Sequence, residues 1–238
     1  MNIKEMHYDL KLKLNKLDSN QYRNLKVPEI DWKLNETIEL FVKIVAEPKI
    51  ATKLGFEISQ RVIDDIRPLV VNQKTLSPFS QQLDFPVYEL PVDYFDYLST
   101  SSMIIKKDEC SVKADKIFVR QHDDDFQSSP FDVSSFLWRE VNIRFFDKGI
   151  KIYTEDFSVE SFAINYIKQP ASVNNSESYV GGEYKTLTGV LLDTNVDCDL
   201  PTSVHREIVD LAVAIITGDL QIPDYAIKKD KLAYNQLT

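Results

Sequence analysis

The chain has 238 residues, 43% hydrophobic and 27% charged, with 28 lysines and arginines against 37 aspartates and glutamates and a formal charge of −9. This excludes a disordered or collagen-like chain and gives enough apolar material for one large domain or two small ones. The acidic balance argues against a general binder of phosphate backbones. No apolar run approaches the roughly 20 residues that span a bilayer.

The elements follow in chain order. Ile3, Met6, Leu10, Leu14 and Leu17 recur at three- and four-residue steps, one face of a first helix, and Asp18-Ser19-Asn20 ends it with turn formers. Residues 1–17 carry charges throughout and read as no secretory signal, so cytosolic folding is expected. Pro28 suits the first position of a second helix. Its stripe is Ile30, Leu34, Ile38, Phe41, Val42 and Val45, and Pro48 stops it. A third helical segment is predicted from Phe56 to about Arg67, with Val62, Ile63 and Ile66 inward and Pro68 at its end. From Leu76 the character changes. Pro78, Pro86 and Pro91 punctuate an aromatic stretch, and Pro91–Leu98 reads as a short helical turn. The period then becomes two. Ile117 and Val119 mark one strand, and Val141, Ile143 and Phe145 another. Asp147-Lys148-Gly149 is a turn signal with Gly149 at positive φ, and Ile150 and Ile152 return as the hairpin partner. Phe162, Ile164 and Tyr166 form a further strand that Pro170 ends. Residues 171–189, rich in Ser, Asn, Thr and Gly with the pair Gly181-Gly182, read as an exposed excursion. The last helix starts after Pro201, capped by Thr202 or Ser203, with Val204, Ile208, Leu211, Ala212 and Ile215 on its inner face. Gly218 and Pro223 bracket its end.

The fold class expected from this pattern is α+β: N- and C-terminal helices packed as a bundle with a central small antiparallel β layer. Residues 1–75 and 200–222 form the bundle, 76–170 the β layer, 171–199 an exposed loop and 223–238 a C-terminal tail.

Few residues offer chemistry. There is no HExxH, GxSxG or Walker-type loop, and Gly181-Gly182 lacks the setting of a dinucleotide fingerprint. His122-Asp123-Asp124-Asp125 could present hard oxygen ligands to Mg²⁺ or Ca²⁺, but neighbours on an extended chain point in opposite directions, and a solvated acidic loop is the favoured reading. Asp193, Asp197 and Asp199 with Cys198 precede the final helix without zinc or EF-hand spacing, again favouring a structural loop. His205 lacks an oriented nucleophile, and Glu207 faces elsewhere on the helix, so a packing histidine is expected. Cys110 sits in no papain-like context and, with Cys198, builds no disulfide framework. The aromatic content suits a carbohydrate- or base-stacking surface and sheet packing equally.

Three stretches carry a resemblance: Ile30-Asp31-Trp32-Lys33-Leu34-Asn35-Glu36-Thr37-Ile38-Glu39-Leu40-Phe41 with Leu54-Gly55-Phe56-Glu57; Tyr88-Glu89-Leu90-Pro91-Val92-Asp93-Tyr94-Phe95-Asp96-Tyr97-Leu98; and Leu200-Pro201-Thr202-Ser203-Val204-His205-Arg206-Glu207-Ile208-Val209-Asp210-Leu211-Ala212-Val213. They resemble the small virion structural proteins that form a ring beneath the portal in short-tailed bacteriophages, especially the crAss-like type of Bacteroidales. Their order along the chain matches, and Thr37 stands where alanine is common. The resemblance implies a non-enzymatic head-to-tail connector ring in the phage neck, joining portal to tail and lining the DNA passage, in twelve copies. It carries over no catalytic residue, metal or cofactor. The implied partners are the portal, other neck and tail ring proteins and further copies of this chain. No membrane and no specific nucleic-acid recognition are implied, and the virion part would be assembled in the host bacterial cytoplasm. Tyr225, Ile227, Leu232, Tyr234 and Leu237 in the tail are the expected portal or subunit contacts. The loop Ala171–Gly189 and the tail Asp224–Thr238 are expected to order on neighbours. Two other classes remain open: a binding module with an aromatic β surface, and a divalent-metal-dependent hydrolase using His122, Asp123 or Asp125.

Overall fold

The structure, a computed structural model, describes residues 1–15, 25–46, 64–79, 85–106, 110–120, 133–147, 149–186 and 189–219. They fall into two compact units, Met1–Leu69 with Pro170–Thr238, and Val70–Gln169.

The first unit holds helices α1 (Ile3–Asn15), α2 (Val27–Ala46) and α3 (His205–Asp219), and α3 packs against both others. Each helix forms where its apolar period and its capping agree. Asn2 and Glu5 make a reciprocal capping box at α1: the Glu5 N–H donates to Asn2 Oδ1 (2.8 Å) and the Asn2 N–H to Glu5 Oε2 (3.1 Å). At α2 the Glu29 carboxylate reaches back to the Lys26 N–H (2.8 Å) while the Lys26 carbonyl accepts from Glu29 and Ile30. Ile3, Met6, Leu10 and Leu14 are buried, as are Ile30, Leu34, Ile38, Phe41 and Val42. Each such side chain contributes roughly 1.5–3 kcal/mol. Helix α3 departs from the single stripe expected. Val209, Val213, Ala214 and Ile216 are buried as well as Val204, Ile208 and Ala212, because the helix meets two neighbours. It begins at His205, after a turn closed by the Val204 N–H on the Pro201 carbonyl (3.1 Å), and Thr202 and Ser203 are exposed. Thr37 is fully buried and donates to the Lys33 carbonyl one turn back (2.7 Å), so α2 accommodates a hydroxyl where the resemblance expects a methyl.

The second unit overturns the expected fold class. It is not a small antiparallel layer under a helical bundle. Two four-stranded sheets make most of the ordered structure here: β1 (Val70–Thr75), β8 (Ser158–Lys168), β3 (Tyr94–Ile105) and β4 (Val112–Lys113) in one, and β2 (Val87–Glu89), β7 (Gly149–Tyr153), β6 (Glu140–Phe146) and β5 (Lys116–Val119) in the other. The second sheet is mixed, because β5 runs parallel to β6. One apolar cluster collects Ile104, Phe162, Ile164 and Tyr166 from the first sheet with Tyr88, Val141, Ile143, Ile150 and Ile152 from the second. Rings join the two sheets, Tyr88 to Phe162 at 5.3 Å between centroids and Tyr97 to Phe145 at 5.0 Å edge-on.

Two local expectations change for physical reasons. Pro91–Leu98 is not a helical turn: the Tyr94 N–H closes a turn on the Pro91 carbonyl, and β3 starts at Tyr94. The register of β3 on β8 shifts between Tyr94 and Asp96 and between Tyr97 and Ser99. The extra residues place Tyr94, Tyr97 and Thr100 opposite Lys168, Tyr166 and Ile164, one face of the sheet at three-residue steps. Bulges thus give a strand the spacing of a helix. At the β6–β7 hairpin it is Asp147, with φ 21°, that takes the positive angle. Gly149 is needed for room, since an added Cβ would lie 2.9 Å from the Tyr88 carbonyl oxygen. Of the third predicted helix, residues 64–67 are described: a helical turn with Ile66 buried, which passes through Pro68 as the 3₁₀ turn Arg67–Leu69. The rest of that prediction lies outside the described residues.

Candidate functional site

The most concentrated polar arrangement in the first unit centres on Asp31 of α2, which is 3% exposed. His7 of α1 meets its Oδ1 through Nε2 at 2.6 Å. Tyr184 Oη donates to Oδ2 at 2.6 Å and the Asn175 N–H to the same oxygen at 3.1 Å. Asp31 therefore joins three stretches of chain distant in sequence. The carboxylate as acceptor places a proton on His7 Nε2, and the buried Nδ1 has no hydrogen-bond partner among the described residues. Burial first, and then the bond to Asp31, push the Tyr184 hydroxyl well above the ordinary tyrosine range, so it stays a donor. One turn along α2, Asn35 clasps the same segment: its Nδ2 donates to the Val173 carbonyl (3.0 Å) and its Oδ1 accepts from the Val173 N–H (2.8 Å).

The segment expected to be an exposed loop begins buried, with Val173, Asn174, Asn175 and Ser176 inside. Asn174 and Val196 exchange backbone hydrogen bonds, and Asn195 accepts from the Glu177 N–H (3.0 Å). Further on, the Leu192 N–H bonds back to the Tyr184 carbonyl and the Val190 N–H to Thr186 Oγ1, and Val180 to Glu183 and Gly189 to Leu191 are exposed.

His205 is buried and donates through Nε2 to the Leu200 carbonyl at 2.9 Å, fastening the Leu200-Pro201 turn to α3. Glu207 is exposed. Asp197 Oδ1 accepts from the Ile3 N–H at 2.7 Å, an additional cap on α1 supplied from the far end of the sequence. Asp193 and Asp199 are exposed, and among the described residues no three His, Cys, Asp or Glu side chains are grouped to hold a metal. Burial pushes the Cys198 thiol up, away from a reactive thiolate, and Cys110 is an exposed free thiol. His122, Asp123, Asp124 and Asp125 lie outside the described residues, as do Tyr225, Ile227, Leu232, Tyr234 and Leu237.

Sequence reasoning passed over Asp31, Asn35 and His7. A signal existed: Asp31 and Asn35 are spaced one turn apart beside Ile30 and Leu34, and His7 adjoins Met6, so all three border buried stripes. With both carboxylate oxygens engaged and only 3% exposure, Asp31 works as a joint between chain segments and offers no access to a substrate.

The surface holds a second feature, in the second unit. Residues 136–139 form a turn that displays Leu137 and Trp138, 81% and 70% exposed. Ser135 and Glu140 exchange backbone bonds across its base, the Arg139 N–H closes it on Phe136, and the Arg139 carbonyl accepts from Asp115 and Lys116. Arg139 takes φ 53° to make it. Phe118, Val119 and Phe146 are also exposed on the same sheet, on β5 and at the end of β6. Large apolar side chains on a hydrogen-bonded turn suit contact with another surface better than exposure to water. In the first unit an open groove along α1 is lined by Tyr8, Leu12, Lys4, Lys13 and Arg206, with Lys13 paired to Asp9 and Asp210 and Lys4 to Glu177.

No protein-family model matches this chain, and no curated protein matches it in sequence.

Proposed function

We propose that the chain is a non-enzymatic virion structural protein that forms a ring in the phage neck, joining portal to tail around the DNA passage. The observation that carries this reading is the displayed Leu137-Trp138 turn. A rigid turn loses little conformational freedom on binding, and buried tryptophans dominate interface energetics. The resemblance supports it through residues that serve as joints. Leu200 to His205 fasten α3, Pro91 to Tyr94 turn the chain into β3, and Ile30, Leu34, Ile38 and Phe41 lie on the buried face of α2. A ring requires two different, complementary surfaces on each copy. The turn is one candidate, and the tail residues Tyr225, Ile227, Leu232, Tyr234 and Leu237 are proposed as the contact to a neighbour or to the portal. Twelve copies, the portal and other neck rings as partners, and a place in the virion belong to the same proposal.

A second reading has its own observation. The exposed rings of Phe118 and Phe146 on one sheet, and of Trp138 on the turn that leads into it, suit a binding module with an aromatic surface. The molar mass by light scattering, alone and with a portal protein, separates the two. A closed ring, or a monomer recruited to the portal, supports the connector. A monomer indifferent to the portal rejects it. In the connector, the double variant Leu137→Ser, Trp138→Ser remains folded and loses assembly.

A further inference from the structure

The sheet of β2, β7, β6 and β5 has one side in the apolar cluster and one side turned away from it. Val141, Ile143, Ile150 and Ile152 belong to the cluster, so the alternate residues of β6 and β7 share the other side. There the register sets Arg144 opposite Lys151, Phe118 opposite Asn142 and Phe146 opposite Gly149. The Arg120 N–H continues the β5 ladder by donating to the Ile143 carbonyl at 2.9 Å, which brings Arg120 beside Arg144. Three cations from three adjacent strands therefore stand in one row. Neighbouring strands lie about 4.8 Å apart, so the row is about 10 Å long. A ring flanks it on either side along the strands: Phe118, 39% exposed, and Phe146, 41% exposed. Rings also steer the cations. The Arg120 guanidinium lies over Phe118 at 5.4 Å while its Nε donates to Asn142 Oδ1 at 2.9 Å, and the Lys151 ammonium lies 4.8 Å from the centres of both Phe85 and Tyr153. Gly149 leaves room for the Phe146 ring, since an added Cβ would lie 3.0 Å from it.

Like charges set opposite one another weaken a sheet, and an anion laid across the row offsets that cost. The formal charge of −9 belongs to the chain as a whole, and this row is a local exception to it. The kind of anion follows from the rings. An acidic peptide would use the cations and leave Phe118 and Phe146 idle, and a duplex keeps its bases stacked inside. A single strand offers phosphates and open base faces together. We propose that this side of the sheet binds single-stranded nucleic acid without regard to sequence, with Arg120, Arg144 and Lys151 on phosphates and Phe118 and Phe146 under bases. The proposal takes the aromatic surface of the second reading further and does not require a ring to close.

Fluorescence anisotropy of a labelled single-stranded oligothymidylate, titrated with the full chain at about 50 mM salt, tests it. Three phosphate contacts on a single strand give a salt slope of about −2, so a tenfold rise in salt should weaken binding about a hundredfold. Arg144→Gln and Lys151→Gln each keep a long side chain, and each should reduce that slope by about a third. Phe118→Ala should weaken binding at least about fivefold, the loss of one stacked base, and leave the slope unchanged. Lys11→Gln, in the first unit, should change nothing. Failure of the unmodified protein to bind the oligonucleotide would overturn the proposal, and that result needs no variant to fold. So would a Lys11→Gln loss equal to that of Arg144→Gln, which would place the contact elsewhere. Polyglutamate that competes as well as the oligonucleotide would assign the side to an acidic protein surface, and a duplex bound as tightly, with Phe118→Ala silent, would remove the stacking; either result overturns it. Anisotropy reads the bound strand whatever the mass of the chain, so its failure leaves the ring reading to the scattering experiment.

Discussion

The helical unit and the sheet unit are held together by different physics. In the helical unit the apolar stripes meet, but the long connections are fixed by polar joints: Asp31 to Tyr184 and Asn175, Asn35 to Val173, Asp197 to Ile3. In the sheet unit the closure is apolar, with Phe162, Ile143, Ile150 and Ile152 fully buried and tyrosines filling the edges. One of its polar ties sits on a ring: Tyr166 donates to Asp93 at 2.9 Å, and burial followed by that bond pushes its hydroxyl up to about 12. The contrast teaches where damage spreads. Removing an apolar group leaves a hole whose cost is shared by its neighbours. Removing a shared acceptor strands several donors from different segments at once.

The largest break should come from the apolar side. Phe162→Ala removes a fully buried ring that packs against the Tyr88 ring, and should cost about 4 kcal/mol in urea unfolding followed by circular dichroism. A loss under about 1 kcal/mol would mean that the sheet core repacks and the contrast fails. Next comes Asp31→Ala, which leaves His7, Tyr184 and Asn175 without their acceptor and should cost about 3 kcal/mol. Asp31→Asn retains one acceptor oxygen and should recover part of that loss. Full recovery would show that charge is irrelevant at the joint. Asn35→Ala is smaller, about 2 kcal/mol, because it uncovers one N–H and one carbonyl of Val173.

The same contrast explains what was legible in the sequence. Helical stripes repeat locally, so Met6 and Leu10, Leu34 and Ile38 announced α1 and α2 before any contact was known. The β6–β7 hairpin was equally local, with Val141, Ile143 and Phe145 alternating up to Asp147. The sheets as a whole were not legible, since β3 carries bulges that set Tyr94 and Tyr97 three residues apart on one face, the step that a helix uses. The parallel pairing of β5 and β6 leaves no turn signal between them, because their connection is not a hairpin. In β1 the register slips between Val71 and Lys74, where Gln73 takes φ 52° and its N–H turns to Asn165 Oδ1. The Asp31 joint stayed hidden for a different reason. Its partners His7, Asn175 and Tyr184 lie 24, 144 and 153 residues away, and no local pattern records such distances.

The smallest effect sharpens the comparison at the surface of the sheet unit. Lys106 donates to Asp156 at 2.7 Å, and this bond, against the opposing influence of burial, holds the Asp156 carboxyl below the usual carboxylate range. A carboxyl whose pKa is lower in the folded than in the unfolded chain binds its proton more readily when unfolded. Its stabilisation is therefore complete above the ordinary aspartate pKa of about 4 and disappears as pH falls through the lower folded value. Both side chains are about half in water, 39% exposed for Lys106 and 49% for Asp156, so solvent screens most of the attraction. Asp156→Asn should accordingly leave unfolding at pH 7 almost unchanged and make the decline below pH 4 slightly shallower, measured as the urea midpoint across an acid series. Molar salt should bring the two proteins together. A midpoint difference at pH 7 as large as that of Asn35→Ala would instead place a polar joint in the sheet unit, and the division between polar and apolar closure would no longer separate the two halves.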